Sequence, residues 1–106
     1  MKVVELSGLA SRELLAGTQV RFVHGETMTV AYWRFEPGIP LPEHAHHHEQ
    51  VTNVIEGEFD LTVEGETRRL GPGCVVVIPP DAQHSGRAVT ACRIIDVFHP
   101  VREDYR

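Results

Sequence analysis

Four histidines fall within five positions, His44-Ala45-His46-His47-His48, out of seven in a chain of 106 residues. Side chains alternate along an extended backbone, so His44 and His46 are presented to the same side. Two imidazoles offered from one strand make a bidentate grip for a transition metal. Gln50 and His48 keep the same parity if the chain stays extended. The bland alternative is a polar loop; a purification tag does not fit an internal run followed at once by a strand pattern. A second group closes the sequence: Ile95-Asp96-Val97-Phe98-His99-Pro100-Val101-Arg102. On a continuous strand Cys92, Ile94, Asp96 and Phe98 share a face, which directs a carboxylate into an apolar interior. That costs several kcal/mol unless the group is paired, protonated or doing chemistry. Its bland alternative is a salt bridge to an interior arginine such as Arg34. Phe98 alone reads as core, and Arg102 alone as an exposed terminal residue.

The elements that must position these groups read as strands. Val20–His24 and Thr27–Phe35 are β-branched and aromatic around a Gly25-Glu26 turn. Residues 36–42 carry three prolines and a glycine, a loop or edge connection. Gln50–Ile55 and Glu58–Val63 flank a tight Glu56-Gly57 turn, and Glu64-Gly65-Glu66 is a hairpin tip before Thr67–Leu70. Cys74–Ile78 lies between Gly71-Pro72-Gly73 and Pro79-Pro80-Asp81; Gln83–Gly86 and Ala88–His99 follow. Only Leu6–Ala16 has loosely helical spacing, with Ser11 as a possible cap, and predicts one helical turn. Eight or nine short strands predict an all-β sandwich or barrel.

The length fits one domain, residues 1–106, with a barrel core over about 20–99. Hydrophobic residues at 42% and charged residues at 24% are ordinary for a globular protein. A net charge of −5 argues against nucleic acid as a partner. No apolar run is long enough to span a membrane, and the N-terminus lacks a signal-peptide pattern, so a cytoplasmic location is expected. Cys74 and Cys92 form no CxxC pair and read as buried free thiols.

At this point the sequence resembles the cupin superfamily. The family's first motif, G-x5-H-x-H-x3,4-E-x6-G, is matched by Gly38, His44, His46, Gln50 and Gly57. The second, G-x5-P-x-G-x2-H-x3-N, is matched by Gly73, Pro79 and His84, with Asp81 for glycine and Ala88 for asparagine. Asp tolerates turn geometry, so the fold is not threatened. The resemblance implies a double-stranded β-helix, or jelly-roll barrel. It also implies one divalent transition metal (nickel, manganese, iron, cobalt or zinc) held by His44, His46, Gln50 and His84. Gln50 replaces the usual glutamate: the donor set is neutral, so a bound ion keeps its full charge toward an anionic substrate but is held less tightly. Glu49 is the rival oxygen donor, and His48 either lines the pocket rim or substitutes as a ligand. His24, His47 and His99 fall outside the motif register.

Asp96-x-Phe98-x-Pro100-x-Arg102 and the amide ligand together resemble the small KdgF-type pectin degradation cupins. That resemblance implies conversion of 4,5-unsaturated monouronates, released from pectin or alginate, into linear ketonised sugar acids. Asp96, Phe98 and Arg102 would be the catalytic group beside the metal, and a small anionic sugar the substrate. Two other readings stay open: a mononuclear iron dioxygenase on the same barrel, and a noncatalytic sugar- or metal-binding cupin. A homodimer is expected from the need to cover strand edges, with Lys2–Glu5 able to add to a partner's sheet.

Overall fold

Runs of β-branched and aromatic residues cut by glycine, proline and acidic turns force extended structure over most of the chain. The computed structural model describes residues 1–106 and contains nine strands. These are β1 (Thr18–His24), β2 (Thr29–Phe35), β3 (Pro40–His44), β4 (Glu49–Glu56), β5 (Phe59–Val63), β6 (Glu66–Leu70), β7 (Val75–Ile78), β8 (His84–Ala88) and β9 (Cys92–His99). One sheet has the order β1-β2-β9-β4-β7 and the other β3-β8-β5-β6, with every neighbouring pair antiparallel. The protein is all-β, two sheets folded into a jelly-roll barrel.

Alternation fills the space between the sheets. On β9, Cys92, Ile94, Asp96 and Phe98 are buried, and the residues between them are more exposed. An aromatic ladder crosses the core, with ring centroids 5.4 Å apart for Trp33–Phe35 and 5.3 Å for Phe35–Phe59, the second pair joining the two sheets. Cys92 is buried and Cys74 half-buried, and both are free thiols.

Several details differ from the expectation. Residues 6–16 hold only a 3₁₀ turn at Leu6–Gly8. Leu6 and Leu14 stay 37% and 38% exposed, so no apolar stripe is buried to support a longer helix. Ser11 caps nothing; its hydroxyl bonds Gln19 Oε1 at 2.6 Å. Part of the expected loop before the histidines is edge strand β3, where Pro40 and Pro42 are tolerated. The expected break near Gly86 lies instead at residues 89–91, because Gly86 continues the β8 ladder beneath the Phe59 ring, where a Cβ would collide. Gly57 is dictated more strictly: its φ is +85°, and a side chain there would strike the Ala91 carbonyl oxygen. Asp81, where the family motif has glycine, adopts φ +65°. No helix is long and apolar enough to cross a membrane.

Two rungs of the ladders decide where the chemistry sits. In the smaller sheet His44 on β3 pairs directly with His84 on β8. In the larger sheet Gln50 and Thr52 on β4 pair with Phe98 and Asp96 on β9.

Candidate metal centre and adjoining cavity

His44 and His84 meet because they are cross-strand partners, with ring centroids 4.1 Å apart. His46 reaches them from the turn after β3, 5.8 Å from His44 and 5.0 Å from His84. One nitrogen from each ring lies within 4.8 Å of the other two. Backbone carbonyls orient all three. Nδ1 of His44 lies 2.8 Å from Pro42 O, Nδ1 of His46 3.1 Å from His48 O, and Nδ1 of His84 2.9 Å from Ala82 O. A carbonyl only accepts, so each Nδ1 carries the proton and each Nε2 turns a lone pair toward the common centre. His84 Nε2 is buried with no partner.

Gln50 supplies a fourth donor, and its orientation is fixed by direction of donation. Thr52 Oγ1 donates to Asp96 Oδ1 at 2.7 Å and accepts from Gln50 Nε2 at 2.9 Å. The amide oxygen of Gln50 must then face the other way, and it lies 3.0 Å from His46 Nε2. With the His46 proton on Nδ1, these two atoms are both acceptors. A doubly protonated ring would satisfy them, but burial, with Arg102 and His84 nearby, lowers the His46 pKa to about 4. His84 is likewise held below the ordinary imidazole value, by burial first. The donor set therefore fits a cation: neutral imidazole lone pairs and an amide oxygen converge where no proton bridges them.

Asp96 is buried beside this cluster. Burial pushes its carboxyl up to about 6; hydrogen bonds from Thr52 and Gln50 and the charge of Arg102 oppose the rise. The Trp33 indole N–H, buried without a partner in bonding geometry, is a weaker restraint of the same sign. Arg34, the interior partner considered from sequence, is exposed on the opposite face of β2 and cannot pair with Asp96. Arg102 is buried too, although it follows the last strand. Its guanidinium lies 4.7 Å from the Phe98 ring centroid and 4.4 Å from that of Tyr105. Asp104 takes its Nε at 3.0 Å and Nη2 at 2.8 Å, so part of the fork is already filled from within the chain. His44, Gln50, Asp96, Phe98 and Arg102 all line one cavity of about 460 Å³, with Tyr105 and Trp33 among its aromatic walls.

The remaining candidates lie apart. Glu49 is exposed on the outer face of the sheet, opposite His99. His48 is buried with its ring 5.4 Å from that of His46 and 3.9 Å from that of His47, but it is not one of the three histidines whose nitrogens converge. Thr52, Asp104 and Tyr105 were not singled out from sequence. Thr52 had a signal, sharing the parity of Gln50 two positions earlier; Asp104 and Tyr105 had none, since only the terminal 3₁₀ turn brings them over Arg102.

Residues 31–98 match the family described as Cupin domain. The chain belongs to the cupin family. Among solved structures, this cupin is similar to KdgF from Halomonas sp., with 30% identity and a TM-score of 0.86 over 91% of this chain and 90% of that one. It is also similar to an RmlC-like cupin from Shewanella frigidimarina, with 29% identity and a TM-score of 0.89 over 94% and 91% of the two chains. Among curated relatives it is 30% identical to the HTH-type transcriptional regulator PuuR of Escherichia coli, covering 79% of this chain. The cupin spans about half of that regulator's length, 49%. Two structural relatives thus match over their whole barrels, while the regulator shares this module as one part.

Proposed function

We propose that this cupin opens and ketonises 4,5-unsaturated monouronates. The observation that carries the reading is the directed chain Gln50–Thr52–Asp96, which joins the metal-ligand cluster to a buried acid in the cavity that Arg102 also lines. The similarity to a KdgF over nine-tenths of both chains supports it.

The reaction is an isomerisation. The C1 hydroxyl gives up its proton, the bond from C1 to the ring oxygen breaks, and an aldehyde and an enol result; the enol becomes a ketone at C5 when C4 takes a proton. A divalent ion held by His44, His46, Gln50 and His84 supplies Lewis acidity toward substrate oxygens. Arg102 meets the substrate carboxylate with the N–H groups that Asp104 leaves free, its plane held between Phe98 and Tyr105. Asp96 carries the proton to C4; with its pKa raised to about 6, a protonated fraction persists near neutrality. Phe98 closes the wall between the two and keeps water from the enol.

Unsaturated galacturonate mixed with the metal-loaded protein should lose its double-bond ultraviolet absorbance. Chelation should slow that loss, and returning the ion should restore it. Absorbance that persists at the uncatalysed rate overturns the reading. The similarity to the regulator supports a second one, binding without turnover, which would show as a rise in Tm with uronate while the absorbance stays.

A further inference from the structure

The cavity beside the metal-ligand cluster has two unlike halves. His44, Gln50, Asp96 and Arg102 line one; Leu14, Leu15, Phe35 and Leu41 line the other. The pairing of β2 with β9 gives their spacing. Asp96 lies opposite Ala31, and Phe35, on the same face of β2, is four residues further on, about 14 Å along the strand. Leu14 and Leu15 precede β1 in a turn that Thr18 pins. Its hydroxyl donates to the Leu15 carbonyl at 2.7 Å and accepts from the Leu15 N–H at 3.2 Å. Thr18 is itself buried and pairs with Phe35. Trp33 stands on the rung between the two halves. It lines the cavity, is only 8% exposed, and its indole N–H has no hydrogen-bond partner. A buried donor without an acceptor is unfavourable. A monouronate leaves this half unused, because its carboxylate and hydroxyls belong beside Arg102 and the ion, and leucine and phenylalanine side chains offer hydroxyls no partner. At about 460 Å³ the cavity is of the size that encloses a drug-sized molecule, more than one sugar ring fills.

The geometry points to a second class of ligand for this cavity: carboxylic acids whose body is an aryl ring carrying one acceptor oxygen. The carboxylate meets the N–H groups of Arg102 that Asp104 leaves free. The oxygen accepts from the Trp33 indole N–H, and the ring lies among Leu14, Leu15, Phe35 and Leu41. The inference rests on the proposed function only in using Arg102 as the carboxylate anchor; it needs neither a proton from Asp96 nor turnover. Enclosing an aryl ring among apolar side chains is worth roughly 10–100-fold in affinity. A neutral hydrogen bond adds roughly 2–10-fold. Such acids take the place of the uronate carboxylate on Arg102, so they compete with the uronate for the cavity.

Trp33 is the chain's single tryptophan, so one indole cross-peak in a nitrogen–proton correlation spectrum of the zinc-loaded chain reports on this half of the cavity. Titration with 4-oxo-4-phenylbutanoate should move that peak. It should saturate at a Kd at least about 10-fold below that of galacturonate, an acid of equal charge with a polar body. 4-Phenylbutanoate, which lacks only the keto oxygen, should bind about 2–10-fold more weakly than the keto acid. Leu15→Asn should remove most of the preference for the aryl acids over galacturonate. If Leu15→Asn does not keep the native spectrum, Leu14→Asn replaces it, since Leu14 is 38% exposed. An indole peak that stays in place under both aryl acids, or galacturonate binding as tightly as they do, overturns the inference. Unsaturated galacturonate left unconverted while the aryl acids still move the peak overturns the proposed function and leaves the aryl-acid site standing.

Discussion

Gln50 Oε1 and His46 Nε2 lie 3.0 Å apart as two acceptors, each fixed in that role by the group behind it. The amide is turned by Thr52, which is committed to Asp96, and the imidazole by the His48 carbonyl. Facing lone pairs of this kind are unfavourable unless a cation lies between or beside them. The same arrangement links ion and acid, because what orients the amide ligand is the residue that hydrogen-bonds the carboxyl group.

One divalent ion per chain is therefore expected by metal analysis, and titration calorimetry should show single-site binding. His84→Ala should weaken binding beyond the roughly 10–100-fold that losing an outer-shell partner costs. Gln50→Glu should tighten it by adding a charge. With the ion at 100 times its Kd, stability should rise by about 2.7 kcal/mol, an increment absent in His84→Ala.

Acid and base act on the metal-free protein with opposite signs. The Asp96 pKa is raised from 3.8 to about 6, so the folded state binds its proton more tightly than the unfolded state. Its contribution is fully present below the unfolded value and lost as pH rises through about 6, on the order of 3 kcal/mol. His46 is lowered from 6.5 to about 4, so its contribution is present above 6.5 and lost as pH falls through about 4. Across about 4 to 6 the two contributions oppose each other at similar size, so urea unfolding should show a nearly flat wild-type profile there. Asp96→Asn should uncover a stability that rises with pH through the same range.

Arg102→Ala should raise KM for the uronate by about 10–100-fold, the value of a lost charge-assisted contact, and change kcat less. Arg102→Lys should not restore it, since an ammonium neither forks a carboxylate nor stacks between Phe98 and Tyr105. Asp104→Asn should give a smaller rise in KM, because it loosens the guanidinium without removing it. Steady-state kinetics on the three variants checks the order.

Gly57→Ala should destabilise the fold by at least about 2 kcal/mol, combining left-handed strain with a clash against the Ala91 carbonyl. Asp81→Gly should leave the fold intact, since Asp81 already holds the positive φ that glycine holds elsewhere. Denaturant titration separates the two.

Most of the strand plan was legible, because period-two burial and glycine or proline turns are local signals. The H-x-H spacing flagged His44 and His46, but the structure brings them together across the turn after β3. Gln50 comes from the other sheet, so the motif register pointed to it where the parity of one extended strand does not hold. Gly86 misled, since a glycine retained inside a strand to admit the Phe59 ring looks in sequence like a break. The role of Thr52 depends on a rung between strands 44 residues apart, which no local pattern encodes. Asp104 was invisible because a terminal carboxylate reads as solvated until the chain turns back and Arg102 is found buried beneath it.

The most direct measurement compares wild-type and Asp96→Asn protein, each shown to carry one ion per chain, for turnover of unsaturated galacturonate. Asparagine can still accept the Thr52 hydroxyl, so the Gln50 amide keeps its orientation and the ion its ligands, but it has no proton to deliver. Full metal occupancy is expected, with turnover reduced by about 10²–10⁴-fold. A fully loaded Asp96→Asn protein working at the wild-type rate would contradict it.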